Sequence, residues 1–114
     1  MFKFETLEVW KKSRKLCGDI LEEVKRLPIE YRYTIGSNLI RAAISVPNNI
    51  AEGSGRKNKR ESINFYNIAK GSIYEVVNVL MILFDKNLIT QQLLNEMYNA
   101  SEEISRMLSG LIKK

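Results

Sequence analysis

The sequence predicts an all-α protein, an antiparallel up-down-up-down four-helix bundle with a Pro-kinked second helix, and three observations carry that expectation. Apolar residues recur at intervals of three and four through four long segments, the pattern of helices with one buried face. Those segments are parted by brief stretches rich in helix-stopping and helix-starting residues: Leu27-Pro28, residues 53–58 and residues 87–90. Two prolines, six glycines and 45% apolar residues in 114 fit a single folded domain over residues 1–114.

The first helix is expected from near Thr6 to about Arg26. Its buried stripe reads Leu7, Trp10, Cys17, Leu21 and Val24, widened by Leu16 and Ile20. Lys11, Lys12, Arg14 and Lys15 form a cationic patch at its start, and Lys15–Asp19 and Glu22–Arg26 have the spacing of ion pairs on a solvated face. Pro28 ends the helix, because the residue before a proline is pushed out of the helical region. In the connection that follows, Tyr31, Arg32 and Tyr33 suit packing against the bundle end, stacking on bases, or a subunit contact, with packing the leading expectation.

The second helix, about Thr34 to Glu52, buries Leu39, Ala43, Val46 and Ile50. Pro47 has no N–H and its ring crowds the carbonyl of Ala43, so a kink is expected there. Ser45 and Asn49 are placed to bond the freed backbone groups, and Gly53 to supply a left-handed stop. Arg41, Ser45, Asn49 and Glu52 step along one side at intervals of four, four and three. They suit a structural polar network between helices, with Arg41 reaching Glu75, or else a small-ligand site. A catalytic role would need a base beside Ser45, and none is evident.

The third helix is expected over Lys59–Asp85, opened by Asn58 as cap and Glu61 as the second half of a capping box. Ile63, Phe65, Tyr66, Ile68 and Ala69 make its first half amphipathic. From Ile73 to Phe84 apolar residues surround most of the circumference, which implies cover on more than one side and contact with another subunit. Gly71 and Ser72 suit a close helix approach midway. Asn87 fits a left-handed stop and Thr90 the cap of a fourth helix, which buries Leu94, Met97, Ile104, Leu108 and Leu111.

Composition narrows the chemistry. With no histidine and one cysteine, Cys17, the chain has no internal disulfide, no His or thiolate metal site and no His-dependent triad, so neither cofactor nor metal is expected and an enzyme is the least favoured reading. The N-terminus lacks the pattern of a signal peptide, and the longest apolar run, residues 79–84, falls far short of the roughly 20 residues that span a bilayer. A soluble cytoplasmic protein without membrane contact is expected. Net charge is +5, and residues 31–60 carry six cations against one carboxylate, which is where a polyanion is expected to bind. Arg56, Lys57, Lys59 and Arg60 form the sharpest cluster, with Lys11, Lys12, Lys15 and Arg32 as weaker candidates. Gly53-Ser54-Gly55-Arg56-Lys57 is no P-loop, lacking both its spacing and its preceding strand.

The stretch Ser45-Val46-Pro47-Asn48-Asn49-Ile50-Ala51-Glu52-Gly53 resembles the signature of the four-helix-bundle proteins encoded in intervening sequences of bacterial large-subunit ribosomal RNA genes. Leu7-Glu8-Val9-Trp10-Lys11-Lys12-Ser13 and Gly53-Ser54-Gly55-Arg56 agree with it, and the similarity covers nearly the whole chain. Asn38 stands where glutamine is common, and Ile40 where a basic residue is common, which weakens that face as an RNA surface. The resemblance implies a homopentamer. It also links the chain to a related branch, the accessory proteins of diversity-generating retroelements, a similar pentameric bundle that binds nucleic acid and a reverse transcriptase. The function expected is a non-enzymatic, homo-oligomeric, RNA-associated protein. The alternative is a protein-binding scaffold using Tyr31, Tyr33, Ile40 and Tyr66.

Overall fold

In the computed structural model, which describes residues 1–114, a 3₁₀ turn (Lys3–Thr6) leads into five helices, with no strand. They are α1 (Glu8–Lys25), α2 (Ile29–Arg32), α3 (Ile35–Ser54), α4 (Lys59–Asp85) and α5 (Gln91–Lys113). The four long ones pack as a bundle measuring 44 × 22 × 21 Å. α3 touches α1 and α4, and α5 touches α4 and α1; the α3–α4 contact is the broadest and the α1–α5 seam the narrowest. One core runs through the middle, with Ile20, Leu39, Ile50, Ile73, Leu80, Leu83, Ile104 and Leu108 fully enclosed.

The buried face of α1 differs from the expected stripe. It runs Val9, Ser13, Leu16, Ile20, Val24, while Leu21 is exposed and Trp10 lies at the edge, packed edge-on to Phe4. Ser13 hides this register in the sequence, because a serine reads as polar. Inside the helix its hydroxyl donates to the Trp10 carbonyl at 2.9 Å, which offsets the cost of burying it. Pro28 ends α1 as expected, then acts as N-cap for α2, a single turn within the connection that had no predicted helix.

Gly53 is not a left-handed stop. It lies within α3, which continues to Ser54, and no glycine in the chain has positive φ. Its role is space: a Cβ there would sit 2.7 Å from Cε1 of Tyr66 and 3.1 Å from Cβ of Phe65. The end of α3 is thus pressed against the start of α4. Gly71, expected to allow close approach, is exposed, with open space where a Cβ would stand, and its neighbour Ser72 makes the helix contact.

The caps follow the chemistry of their residues. The Asn58 side chain accepts from the Arg60 and Glu61 amides, at 2.8 and 3.4 Å, although Glu61 does not complete the box. Asn87, with φ of 60°, closes α4: the Asn87 amide bonds Phe84 and the Leu88 amide bonds Leu83, both at 2.9 Å. Thr90 then caps α5 through the Leu93 amide at 3.1 Å. α4 has the length and apolar composition of a membrane span; here its buried residues, Tyr66 to Leu83, pack against α3 and α5.

Gly53→Ala tests the close approach. Tyr66 is only 8% exposed and its ring has nowhere to retreat, so a loss of about 1–3 kcal/mol is expected in urea unfolding. Gly18→Ala, at an open position on α1, is expected to be neutral or stabilising.

Candidate nucleic-acid interface

The turn between α3 and α4 holds the four clustered cations, and all are exposed. Arg56 is divided between a 2.9 Å ion pair with Glu52 and the face of Phe65, 4.7 Å from its guanidinium carbon. The Lys59 ammonium donates to the Lys114 main-chain oxygen. The Lys57 and Arg60 side chains have no hydrogen bond or ion pair, and they flank the start of α4, where the helix dipole favours an anion while Asn58 occupies the Arg60 and Glu61 amides. Two free cations at a helix start, with two more beside them, make a phosphate-sized target.

The weaker candidates are more occupied. Lys11, Lys12 and Lys15 each face a carboxylate: Glu8 at 3.4 Å, Glu103 at 3.1 Å and Asp19 at 2.9 Å. Further along α1, Glu22 pairs with Lys25 and Glu23 with Arg26, one residue off the expected Glu22–Arg26 spacing. Exposed pairs of this kind are worth little and exchange readily, but they leave the patch locally near neutral. Arg32 is turned inward. Its Nη2 donates to the Leu27 carbonyl at 3.2 Å and its Nε is buried without a partner, so it serves the end of α1.

The side chains at Arg41, Ser45, Asn49, Glu52 and Glu75 do not form one network. Arg41 bonds Asn38 on its own helix rather than Glu75, which is exposed, and Glu52 belongs to Arg56. Only the middle pair joins helices. The Asn49 amide donates to the Ser45 carbonyl at 2.8 Å and to Ser45 Oγ at 3.0 Å, and Ser45 Oγ lies 2.7 Å from Ser72 Oγ on α4. With Asn49 donating to Ser45, the Ser45 O–H is free to donate to Ser72. Neither neighbour is a base, so this hydroxyl gains no nucleophilicity from them. Cys17, the one thiol, is half-buried, and burial pushes its pKa up, away from the reactive thiolate. No group of three or more Asp, Glu or Cys side chains is placed to hold a metal ion.

Sequence reading missed the cations brought in by α5. Because Lys12 meets Glu103 and Lys59 meets Lys114, the start of α1 and the end of α5 lie at the same end of the bundle as the basic turn. Arg106, Lys113 and Lys114 therefore join Arg56–Arg60 there. The contact of Lys59 with Lys114 contains that signal, because it brings the end of α5 to the start of α4.

The fold and this end define the class: an all-helical bundle that gathers exposed positive charge at one end. Residues 5–110 match the family model described as 23S rRNA-intervening sequence protein, and the chain belongs to that family. A solved structure from Bacteroides thetaiotaomicron, described as a protein with unknown function from the S23 ribosomal protein family, is similar to it. That structure shows 26% identity and a TM-score of 0.87, and the match covers 93% of this chain and 99% of the other. No curated protein matches the chain.

Ser45→Ala leaves the buried Ser72 hydroxyl without its partner, so about 1–2 kcal/mol of stability is expected to be lost. Ser72→Ala in the Ser45→Ala background is expected to cost clearly less than Ser72→Ala alone. Additive losses in urea unfolding would show that the two hydroxyls are not coupled.

Proposed function

We propose that this is a non-enzymatic, homo-oligomeric protein that associates with RNA through sequence-independent phosphate contacts at its basic end. The observation that carries the reading is the exposed cluster at Arg56, Lys57, Lys59 and Arg60, with Lys57 and Arg60 unpaired. Membership of a family described by ribosomal RNA supports it and favours a soluble, cytoplasmic protein. The proposed architecture is the up-down-up-down bundle with α3 bent at Pro47, supported by the meeting of the α3 end with the α4 start at Gly53 and Tyr66.

Oligomerisation is supported by apolar surface. Ile44 on α3 and Ile68 and Ile82 on α4 are exposed, Ile68 by 52%, more than isolated packing of this bundle needs. The resemblance points to five copies, which would repeat the basic end around a ring and tether weak contacts into an avid set. Ile68→Glu is expected to reduce particle mass in sedimentation velocity while leaving helicity unchanged. The same apolar surface favours the second reading, a protein-binding scaffold without nucleic acid. Of its proposed contacts Tyr31 and Tyr33 are exposed and Ile40 is half-buried, but Tyr66 is in the core and is ruled out.

The deciding experiment is fluorescence anisotropy with a structured RNA at two salt concentrations, comparing the natural chain with Arg56, Lys57, Lys59 and Arg60 all changed to Gln. Affinity is expected to fall with salt. The variant is expected to lower the log–log slope by roughly 3, because each neutralised phosphate accounts for about 0.7–0.9 of it. An unchanged slope and affinity would remove the cluster from the interface. No binding by the natural chain at low salt would leave the scaffold reading.

A further inference from the structure

About half-way along the bundle from the basic end, the groove between α4 and α5 opens into a recess of about 250 Å³, lined by Ile73, Tyr74 and Val77 from α4 and by Tyr98, Ser101, Glu102 and Ser105 from α5. Ser101 lies in its wall, 0% exposed, and its hydroxyl has no hydrogen-bond partner. The other buried serines are all satisfied: Ser13 and Ser54 donate to carbonyls of their own helices and Ser72 meets Ser45. A buried hydroxyl in that state keeps an unmet demand for a polar partner. Around it stand two aromatic rings held in solvent, Tyr74 at 66% and Tyr98 at 38% exposure.

The recess is continuous in register with the basic turn. Lys59, Lys70 and Tyr74 are separated by eleven and four residues, which puts them on one face of α4. Tyr98, Glu102, Ser105 and Ser109 follow at four, three and four on α5. Lys70 bonds the Ser109 hydroxyl at 2.8 Å and has no carboxylate partner, so it places a free positive charge between turn and recess. From Lys59 to Tyr74 the helix rises about 22 Å at 1.5 Å per residue.

We propose that the recess takes one unpaired nucleobase of a single-stranded RNA segment whose phosphates run from the basic turn past Lys70. This rests on the RNA reading above and adds to it the form of RNA that is bound. Tyrosine faces stack on any base, which gives affinity without sequence choice. The Ser101 hydroxyl, donor and acceptor at once, lies closed off in the wall and meets a base edge once an entering base displaces the side chains that cover it. Glu102, paired with Arg106 at 3.2 Å, puts a carboxylate at the rim that repels a phosphate and accepts from an amino or imino N–H. A base therefore enters rather than the backbone, and duplex RNA, whose bases are stacked inside, has none to offer.

The test titrates the ¹⁵N-labelled full chain with adenosine, which carries no phosphate, and compares a single-stranded RNA ten-mer with its duplex by anisotropy. Adenosine is expected to shift amides of residues 73–77 and 98–105. The single strand is expected to bind at least several-fold tighter than the duplex. Tyr74→Leu with Tyr98→Leu, both exposed and so compatible with the fold, is expected to abolish the adenosine shifts and the single-strand preference while keeping the salt slope. Ser101→Ala is expected to weaken adenosine without loss of stability. Binding of RNA with no adenosine shifts, and a strand preference untouched by the tyrosine changes, would overturn the recess and leave the phosphate contacts standing. Adenosine shifts without any binding of RNA would overturn the functional reading and the path from the turn together. Amide shifts in the recess that follow protein concentration and ignore adenosine would assign it to a second copy of this chain.

Discussion

Everything in this bundle depends on how closely α3 can approach α4. Two helices come this near only where side chains are small or can bond each other, and the α3–α4 contact supplies both. Gly53 admits the Tyr66 ring, and Ser45 meets Ser72 hydroxyl to hydroxyl. A larger residue at Gly53 would push the helix ends apart and carry the turn with them. The functional end is thus a product of packing: the short connection that presents Arg56–Arg60 is positioned because α3 and α4 are already fixed on either side of it.

Much of this was legible in the residues, because helical periodicity and cap chemistry are local. Asn58, Asn87 and Thr90 each do at a helix boundary what their side chains do best, and α4 spans the residues its periodicity predicts. What escaped was set by partners distant in sequence. Ser13 reads as polar until its hydroxyl is seen bonded within its own helix, so the buried stripe of α1 was placed off its true register. Gly53 reads as a stop, since glycine at a helix end usually is one; only the Tyr66 ring shows that the missing Cβ matters more than φ. Arg41 and Glu75 have opposite charges and suitable positions, but Arg41 finds Asn38 one turn away on its own helix.

The candidate interface shows the same division. The cluster at Arg56–Arg60 is continuous in sequence, and a count of charges finds it. Which cations are free is a matter of neighbours. Lys11, Lys12 and Lys15 are compensated by carboxylates, one of them on α5, whereas Lys57 and Arg60 are not. Arg32 looks equally cationic on paper and is committed to a main-chain carbonyl. The same topology that adds Arg106, Lys113 and Lys114 to the basic end also supplies Glu103 against Lys12, so net charge alone overstates what a polyanion would meet there.

The narrow seam between α1 and α5 has a kinetic meaning. The broader contacts between long helices join neighbours along the chain, through connections of four to nine residues, and such contacts form quickly because little loop entropy is lost. The seam alone must bring the two ends of the chain together. It is the least extensive contact and has a groove of about 540 Å³ between its helices, lined by Leu16, Leu93, Met97 and Ala100 below a rim of charged side chains. The hairpin of α3 and α4 is therefore expected to form early in folding, and the seam to close last. When the native bundle breathes, it is expected to open first along this seam.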